Sequence, residues 1–186
     1  MPTYTPHPAQ RKAHNSPARR KWIWAGRRGG KDRFSVQEVM KDIDEASKIP
    51  FIVDDETADI LGVPKGTDMT DTLIPPIHVW SVAPNFPQSR QAWNEMKALI
   101  PPHLVRKRVA GRAGGRGGSG WNEDRMLVEL ELKDEKGNWL KNRPRRRVLW
   151  EMKSADNPEA LQTVGVDVLW IIEAQDLKEA AWEKIE

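Results

Sequence analysis

The chain has 186 residues, no cysteine and a net charge of +3, with 38% hydrophobic and 31% charged residues. This composition suits a globular protein and excludes a disulfide framework or a thiolate metal site. No apolar run approaches the roughly 18 residues that cross a bilayer, and residues 1–12 lack a signal-peptide core, so we expect a cytosolic protein with no membrane segment.

The first 20 residues are predicted to be an extended lead-in with one short helix. Prolines at positions 2, 6 and 8 disfavour regular structure, and the sequence then fits a helix from Ala9 to Asn15. Gln10 in this helix lies just ahead of a glycine-rich segment, where a glutamine can hydrogen-bond an adenine. A solvated surface glutamine is the alternative interpretation.

Residues 21–34, KWIWAGRRGGKDRF, have the order strand, glycine-rich turn, lysine, helix. A short buried strand is predicted over 22–25 and a helix over 32–46. Backbone N–H groups of such a turn, the helix N-terminus and the lysine together bind phosphates. The match to G-x-x-x-x-G-K-[ST] departs at Ala25 and at Asp32, which follows Lys31. An ordinary strand-turn-helix with a basic turn is the alternative.

The middle of the chain contains an acidic excursion and a second strand-helix unit. Residues 42–71 are rich in Asp and Glu and are interrupted by Pro and Gly, which predicts a helix plus loop. The run IHVWSVA over 77–83 predicts a buried strand. A helix over 89–100 should follow, capped by Ser89 or Gln88 and stopped by two prolines.

Positive charge is concentrated in two segments. Residues 106–120, RKRVAGRAGGRGGSG, predict a mobile loop that contacts DNA phosphates or, alternatively, only aids solubility. A hairpin is predicted from strands over 126–133 and 146–152, with a basic cluster at 141–147. The candidate DNA contacts are Arg106, Lys107, Arg108, Arg112, Arg116, Arg145, Arg146 and Arg147.

The run VDVLWII over 166–172 predicts a parallel strand buried on both faces, and a helix should start at Lys178. P-loop ATPases end such a strand in Asp-Glu, where Asp holds Mg²⁺ through water and Glu polarises the attacking water. Here the pair is Ile172-Glu173. We hypothesise that Asp32 supplies the metal-side charge that Ile172 cannot; a degraded site is the alternative.

In four blocks, the sequence resembles the N-terminal ATPase domain of the large terminase subunit of tailed bacteriophages. They are TPHPAQRKAHNSPARRKWIWAGRRGGKDRF, VWSVAPNFPQSRQAWNEMKALIP, LWEMKSADNPEALQTVG and VLWIIEAQDLKEAAWEKI, and together they cover nearly the whole chain. The resemblance implies an α/β fold of the P-loop NTPase type (additional-strand, RecA-like). Its mainly parallel sheet is flanked by helices and is incomplete at the C-terminus. Residues 1–20 would be the lead-in and residues 21–186 a partial ATPase domain.

The resemblance also implies a motor that uses ATP and Mg²⁺ to drive double-stranded DNA into a procapsid. Lys31 and Glu173 would be catalytic, and Asp32 and Glu173 would face the metal. Nucleotide binding is carried over to Gln10, Gly26, Arg27, Arg28, Gly29, Gly30, Lys31 and Asp32. An arginine finger from a neighbouring subunit is expected, with Arg90, Arg112, Arg116 and Arg125 as candidates.

The implied partners are the portal protein and the small terminase subunit, with a homo-oligomeric ring in the full-length protein. The implied location is the cytoplasm of the infected bacterial host and, transiently, the procapsid portal. Besides Asp32 and Ile172, the sequence departs from the family at Gln162-Thr163-Val164-Gly165, where arginine is common ahead of the glycine. Because the chain stops soon after Glu173, we expect a fragment or a truncated gene product.

Two other functions fit the sequence. One is a helicase-like or recombination P-loop ATPase, which shares the phosphate loop and the carboxylate-ended strand. The other is a DNA-binding assembly protein with a degenerate nucleotide site, which would use the basic segments 106–120 and 141–147 without nucleotide dependence.

Overall fold

The computed structural model describes residues 5–18, 21, 23, 30–48, 52–69, 73–108, 118–141, 145–161 and 165–185. Its helices are Pro8–His14 (α1), Lys31–Lys48 (α2), Asp55–Leu61 (α3), Phe86–Leu99 (α4) and Glu179–Ile185 (α5). Its strands are Leu73–Ala83 (β1), Lys107–Arg108 (β2), Gly118–Ser119 (β3), Trp121–Asn122 (β4), Leu127–Glu131 (β5), Arg145–Ser154 (β6) and Val168–Ile171 (β7). Two 3₁₀ helices span Pro158–Leu161 and Ala174–Asp176.

Five of the strands form one mixed sheet in the order β4-β5-β6-β1-β7. β1 pairs in parallel with both β6 and β7, whereas β4, β5 and β6 pair antiparallel. The predicted α/β class with a parallel sheet core and the predicted hairpin of β5 with β6 are therefore confirmed. β2 and β3 form a separate two-stranded sheet.

Successive side chains of β1 point to opposite faces of the sheet, and apolar side chains are buried on both faces. Ile77 and Val79 pack into a cluster with apolar side chains of α2 and α4, while Trp80 and Val82 face a second cluster with Leu177 and α5. In α2, three residues at helical spacing are at most 5% exposed and form the stripe that covers the first face: Val36, Val39 and Ile43. Both faces of the sheet are therefore covered. This leaves the edge formed by the carboxyl ends of the parallel strands, called the carboxyl edge, as the place for a ligand site.

Two local predictions are wrong. α4 is capped by Asn85, whose Oδ1 accepts from the backbone N–H of Gln88 at 3.0 Å, because proline is tolerated in a first helical turn and the helix starts earlier than expected. β7 is not buried on both faces: Leu169 is 40% exposed, since β7 is an edge strand of the described sheet.

Two further predictions concern segments that are only partly described. Residues 22 and 24–29 lie outside the described residues, and Ile23, which was expected in a buried strand, is 42% exposed. Residues 109–117 of the basic loop also lie outside them. The ends of that loop pair as β2 and β3, and Gly120 is buried where a Cβ would come within 2.6 Å of the Glu129 carbonyl. No helix among the described residues is long and apolar enough to span a membrane.

Candidate functional site

Parallel pairing of β1 with β7 brings their carboxyl ends to one edge of the sheet. Val82 is in register with Ile171, and the backbone N–H of Ile172 donates to the Val82 carbonyl at 2.8 Å. Glu173 follows at this edge, which is where ligands bind in open α/β sheets. Ile172 is 7% exposed and belongs to the core, so an apolar side chain occupies the position where the metal-binding aspartate was expected.

The first residue of α2 contacts this edge. Lys31 Nζ forms an ion pair with Glu173 Oε1, which joins groups 142 residues apart in the chain. The two side chains are 33% and 27% exposed, so both groups remain accessible to solvent. A helix N-terminus carries partial positive charge and attracts anions. The two side chains predicted to be catalytic therefore meet at a site that favours phosphate.

Gln10 of α1 contacts the residue just before Lys31. Its Nε2 donates to the carbonyl of Gly30 at 3.3 Å, and its Oε1 accepts from the backbone N–H of His7 at 3.1 Å. Gly30 has φ +66, which favours glycine, and a Cβ there would lie 3.2 Å from Gln10 Nε2. Three of the predicted nucleotide-binding residues are thus adjacent in space.

A buried carboxylate holds α1 against α2. Glu38 in α2 is 7% exposed, accepts a hydrogen bond from Lys21 Nζ and contacts His14 Nδ1. Burial raises the pKa of Glu38, but the hydrogen bonds from Lys21 and His14 outweigh it and bring the pKa below its ordinary value. Glu38 fixes the segment that carries Gln10, a role that sequence reasoning missed.

Asp32, in the first turn of α2, faces Glu95 in α4, and the two carboxyl groups influence each other. Burial raises the pKa of Glu95, the charge of Asp32 raises it further, and the hydrogen bond from Gln91 and the charge of Lys31 oppose this. Sequence reasoning missed Glu95 because its contact joins two helices far apart in the chain. Among the described residues, no group of three or more His, Asp or Glu is arranged to hold a metal ion.

A third missed residue contacts the other oxygen of Glu173. Gln175 Nε2 donates to Glu173 Oε2 at 2.7 Å. Glu173 itself has φ 49 and ψ 53, the left-handed conformation, where the chain leaves β7 for the 3₁₀ turn. The only signal in the sequence is that a polar amide side chain follows Glu173 at a spacing of two.

Two solved structures match the chain in fold. Both are of the large terminase ATPase domain of Thermus phage P74-26, one of them a mutant with an arginine changed to alanine. Each superposes with a TM-score of 0.61 and 18% sequence identity, and the match covers 97% of this chain and 58% of that chain. This chain has the fold of a large terminase ATPase domain. The predicted resemblance is confirmed at the level of the fold.

The chain spans 58% of the length of the terminase domain that it matches. No protein-family model matches the sequence, and no curated protein matches it significantly. The chain therefore resembles the terminase domain in its three-dimensional fold, while few residues of the two chains are identical. The roles carried over for Gly26, Arg27, Arg28 and Gly29 stay predictions, since these residues lie outside the described part of the chain.

The basic cluster at the start of β6 lies away from Glu173. Arg145 pairs with Leu73 at the amino ends of β6 and β1, opposite to the carboxyl edge. β6 has 10 residues, so at about 3.3 Å per residue the two edges are roughly 30 Å apart. Arg145 is exposed, and Arg146 and Arg147 are half-buried. Their contact with DNA stays a prediction.

The other basic candidates lie beside β5. Arg106 forms ion pairs with Glu129 at 2.5 Å and Glu131 at 3.6 Å, and Lys107 is exposed. Arg108 pairs through its backbone in β2, while Arg112 and Arg116 lie outside the described residues.

Two arginine-finger candidates have acidic partners within the chain. Arg90 lies 3.5 Å from Glu123, and Arg125 lies 3.5 Å from Glu151. Both are surface pairs, whose exchange for another anion costs little. The candidates Arg112 and Arg116 lie in the undescribed part of the basic loop, so the identity of the finger stays open.

Proposed function

We propose that this chain is the ATPase domain of a DNA-packaging motor, and that it binds Mg²⁺-ATP where α2 meets the carboxyl edge of the sheet. The observation that carries the proposal is the ion pair of Lys31 with Glu173. A lysine at a helix N-terminus and a carboxylate at the end of a parallel strand are the two groups that a P-loop ATPase needs within reach of one γ-phosphate.

Lys31 and the backbone N–H groups at the start of α2 would bind the phosphates. The anion gains from the helix dipole and from the lysine charge together. Because Lys31 reaches the phosphates when ATP is bound, it exchanges Glu173 for a phosphate oxygen. Glu173 Oε1 is then free to accept a hydrogen bond from the attacking water and polarise it.

The adenine base would be bound by α1. Gln10 already uses one amide hydrogen on Gly30, which places its side chain beside the glycine-rich turn. An amide side chain has both the donor and the acceptor that an adenine edge requires, and Gln10 would exchange its contacts with Gly30 and His7 for the base when ATP binds. Glu38 supports this arrangement from inside by holding α1 through His14.

The donor set beside Lys31 fits Mg²⁺. This ion takes one or two carboxylates together with phosphate oxygens and waters, and it neutralises charge that develops on the phosphates. Asp32 and its partner Glu95 provide such oxygens, whereas Ile172 is an apolar core residue and provides none. Asp32 thus replaces the carboxylate that the strand end lacks.

The packaging role rests on the fold likeness and on the four sequence blocks. Double-stranded DNA, a portal protein, a small terminase subunit and further copies of the chain in a ring would be the partners, in the host cytoplasm and at the procapsid portal. The basic segments 106–120 and 141–147 are the candidate DNA contacts. The fold match favours this role over a helicase-like ATPase.

The test is a titration of the purified chain with Mg²⁺-ATP, followed by tryptophan fluorescence, together with Lys31→Ala. Trp22 and Trp24 lie close to the glycine-rich turn in sequence and should report binding. Lys48→Ala is the matched control, because Lys48 is at the other end of α2 and pairs only with exposed acids of the same helix. We expect saturable binding in the chain and in the control, and its loss in Lys31→Ala.

A folded chain that binds no Mg²⁺-ATP would contradict the proposal. It would favour the DNA-binding assembly protein with a degenerate nucleotide site, which the buried Ile172 makes the second candidate. That function predicts DNA binding that does not change when nucleotide is added.

A further inference from the structure

The two carboxylate oxygens of Glu173 have different kinds of partner. Oε1 pairs with Lys31, which belongs to another element, whereas Oε2 accepts from Gln175, only two residues away. Lys31 is the group that bound phosphate withdraws from Glu173. Gln175 is the contact that remains when Lys31 leaves.

The backbone after β7 explains why Gln175 can reach. Glu173 adopts φ 49 and ψ 53, and Asp176 N–H donates to the Glu173 carbonyl at 2.9 Å, which closes a tight turn. The turn is anchored by Leu177, which is 9% exposed in the second apolar cluster. A non-glycine residue in the left-handed region is strained, and such strain persists where the surrounding structure over-determines the conformation.

We propose that Gln175 is the positioning residue of Glu173: its amide holds Oε2 so that Oε1 stays aimed at the attacking water after Lys31 has moved to the phosphates. This role rests on the proposed function of the site. An amide suits it, because it donates a hydrogen bond without placing a positive charge on the carboxylate. A lysine in that place would neutralise the charge that polarises the water.

Measurements of ATP hydrolysis and of ATP affinity distinguish a positioning role of Gln175 from a merely structural one. In Gln175→Ala we expect the affinity for Mg²⁺-ATP to stay within about twofold, while the single-turnover rate falls by about 100-fold, the size of effect that misplacing a reacting group produces. Gln175→Glu has the same shape without the donor and adds a like charge, so it should be at least as slow. Asp176→Ala is the control in the same exposed turn and should hydrolyse ATP at the rate of the unaltered chain.

A second measurement needs no hydrolysis. In ¹H–¹⁵N spectra, the side-chain amide signal of Gln175 should keep its position in Lys31→Ala and should move in Glu173→Ala, because the hydrogen bond depends on Glu173 alone. This result would support the positioning contact even if the chain bound no ATP, so the two proposals fail separately.

Three results would overturn the inference. One is an unchanged rate in Gln175→Ala, and another is a loss that appears wholly in ATP affinity. The third is a Gln175 amide signal that moves in Lys31→Ala as far as it does in Glu173→Ala, since Gln175 would then not hold the carboxylate independently of Lys31.

Discussion

Two of the lysine–glutamate contacts at α2 join this helix to other parts of the chain, and they differ in what surrounds them. In the pair of Lys21 with Glu38 the side chains are 14% and 10% exposed, and His14 contacts the same carboxylate. In the pair of Lys31 with Glu173 they are 33% and 27% exposed, and the glutamate backbone is left-handed. Breaking a buried ion pair leaves one charge buried without an opposite charge beside it. A more exposed pair such as that of Lys31 with Glu173, called the open pair below, can exchange one partner for a ligand at little cost.

Glu38 and Glu173 have the same chemistry, but their surroundings indicate opposite roles. Glu38 belongs to the structure, because its partners come from the segment that it must hold in place. For Glu173 we propose a functional role instead, because its partner Lys31 lies at a helix N-terminus that attracts phosphate. The predictions below test this division, starting with the largest expected effect.

Glu173→Gln should reduce ATP hydrolysis by about 1,000-fold, since it removes the group that polarises water. Its free energy of unfolding should change little, because an exposed ion pair contributes only about 0–1 kcal/mol. Steady-state phosphate release and urea denaturation measure the two quantities. A large loss of stability with hydrolysis intact would mean that the pair is structural.

Glu38→Gln should lower the free energy of unfolding by about 3 kcal/mol, because Lys21 then stays in a largely buried place without an anion. Glu45→Gln is the matched control in the same helix: its pair with Lys48 is exposed, so it should cost only about 0.3 kcal/mol. Urea denaturation of both variants measures the difference. Equal stabilities would contradict the anchoring role of Glu38.

Asp32→Ala should abolish the Mg²⁺-dependent part of ATP binding, and Asp32→Ser should not restore it. The reason is that Ile172 offers no second carboxylate near the phosphates. Fluorescence titrations with Mg²⁺ and with EDTA measure the effect. Wild-type affinity in Asp32→Ala would refute the replacement of the strand-end carboxylate by Asp32.

Acid should weaken the anchor at Glu38. Its pKa is below the ordinary 4.5, so the native state binds fewer protons than the unfolded state near that pH, and stability falls as the pH drops below about 4.5. Lys21 and Lys41 face this carboxylate with positive charge, His14 contacts it through Nδ1, and Asp42 adds an opposing negative charge. Thermal melts between pH 3 and 6 should therefore show a smaller acid loss in Glu38→Gln; identical pH profiles would argue against it.

Gln10→Ala should reduce the preference for ATP over GTP, by about tenfold if one hydrogen bond to the base is lost, which is worth about 1.4 kcal/mol. Binding of both nucleotides to the variant and to the unaltered chain measures the preference. Gln37→Ala in α2 is a suitable control, because Gln37 is a partly exposed glutamine outside the predicted site. An unchanged preference would remove Gln10 from the adenine site.

Much of the frame was predictable from local patterns. The 3.6-residue spacing of α2, the apolar run of β1 and the alternation of β5 identified these elements within a few residues, and the carboxylate at the end of β7 was identified from its position. The start of α4 was missed because the Asn85 cap lies before three residues that the pattern left outside the helix. The exposure of β7 was missed because an apolar run does not reveal how many neighbours a strand has.

The finer parts of the site were not predictable for a physical reason. The contacts of Lys31 with Glu173, of Glu38 with His14 and of Asp32 with Glu95 join residues that no local rule connects. Gln175 is close to Glu173 in sequence, but its role depends on the left-handed backbone at Glu173, which glutamate seldom adopts. Such contacts follow only once the sheet and α2 are assembled.

The most direct test of the account is to measure the Mg²⁺-ATP affinity of Lys31→Ala and Glu173→Gln side by side with the unaltered chain. If the open pair exchanges Glu173 for phosphate, Lys31→Ala loses binding, while Glu173→Gln keeps it or binds more tightly because Lys31 is released from its competitor. If both variants bind as the unaltered chain does, or if both lose affinity to the same extent, the pair is a structural contact and the central claim is wrong.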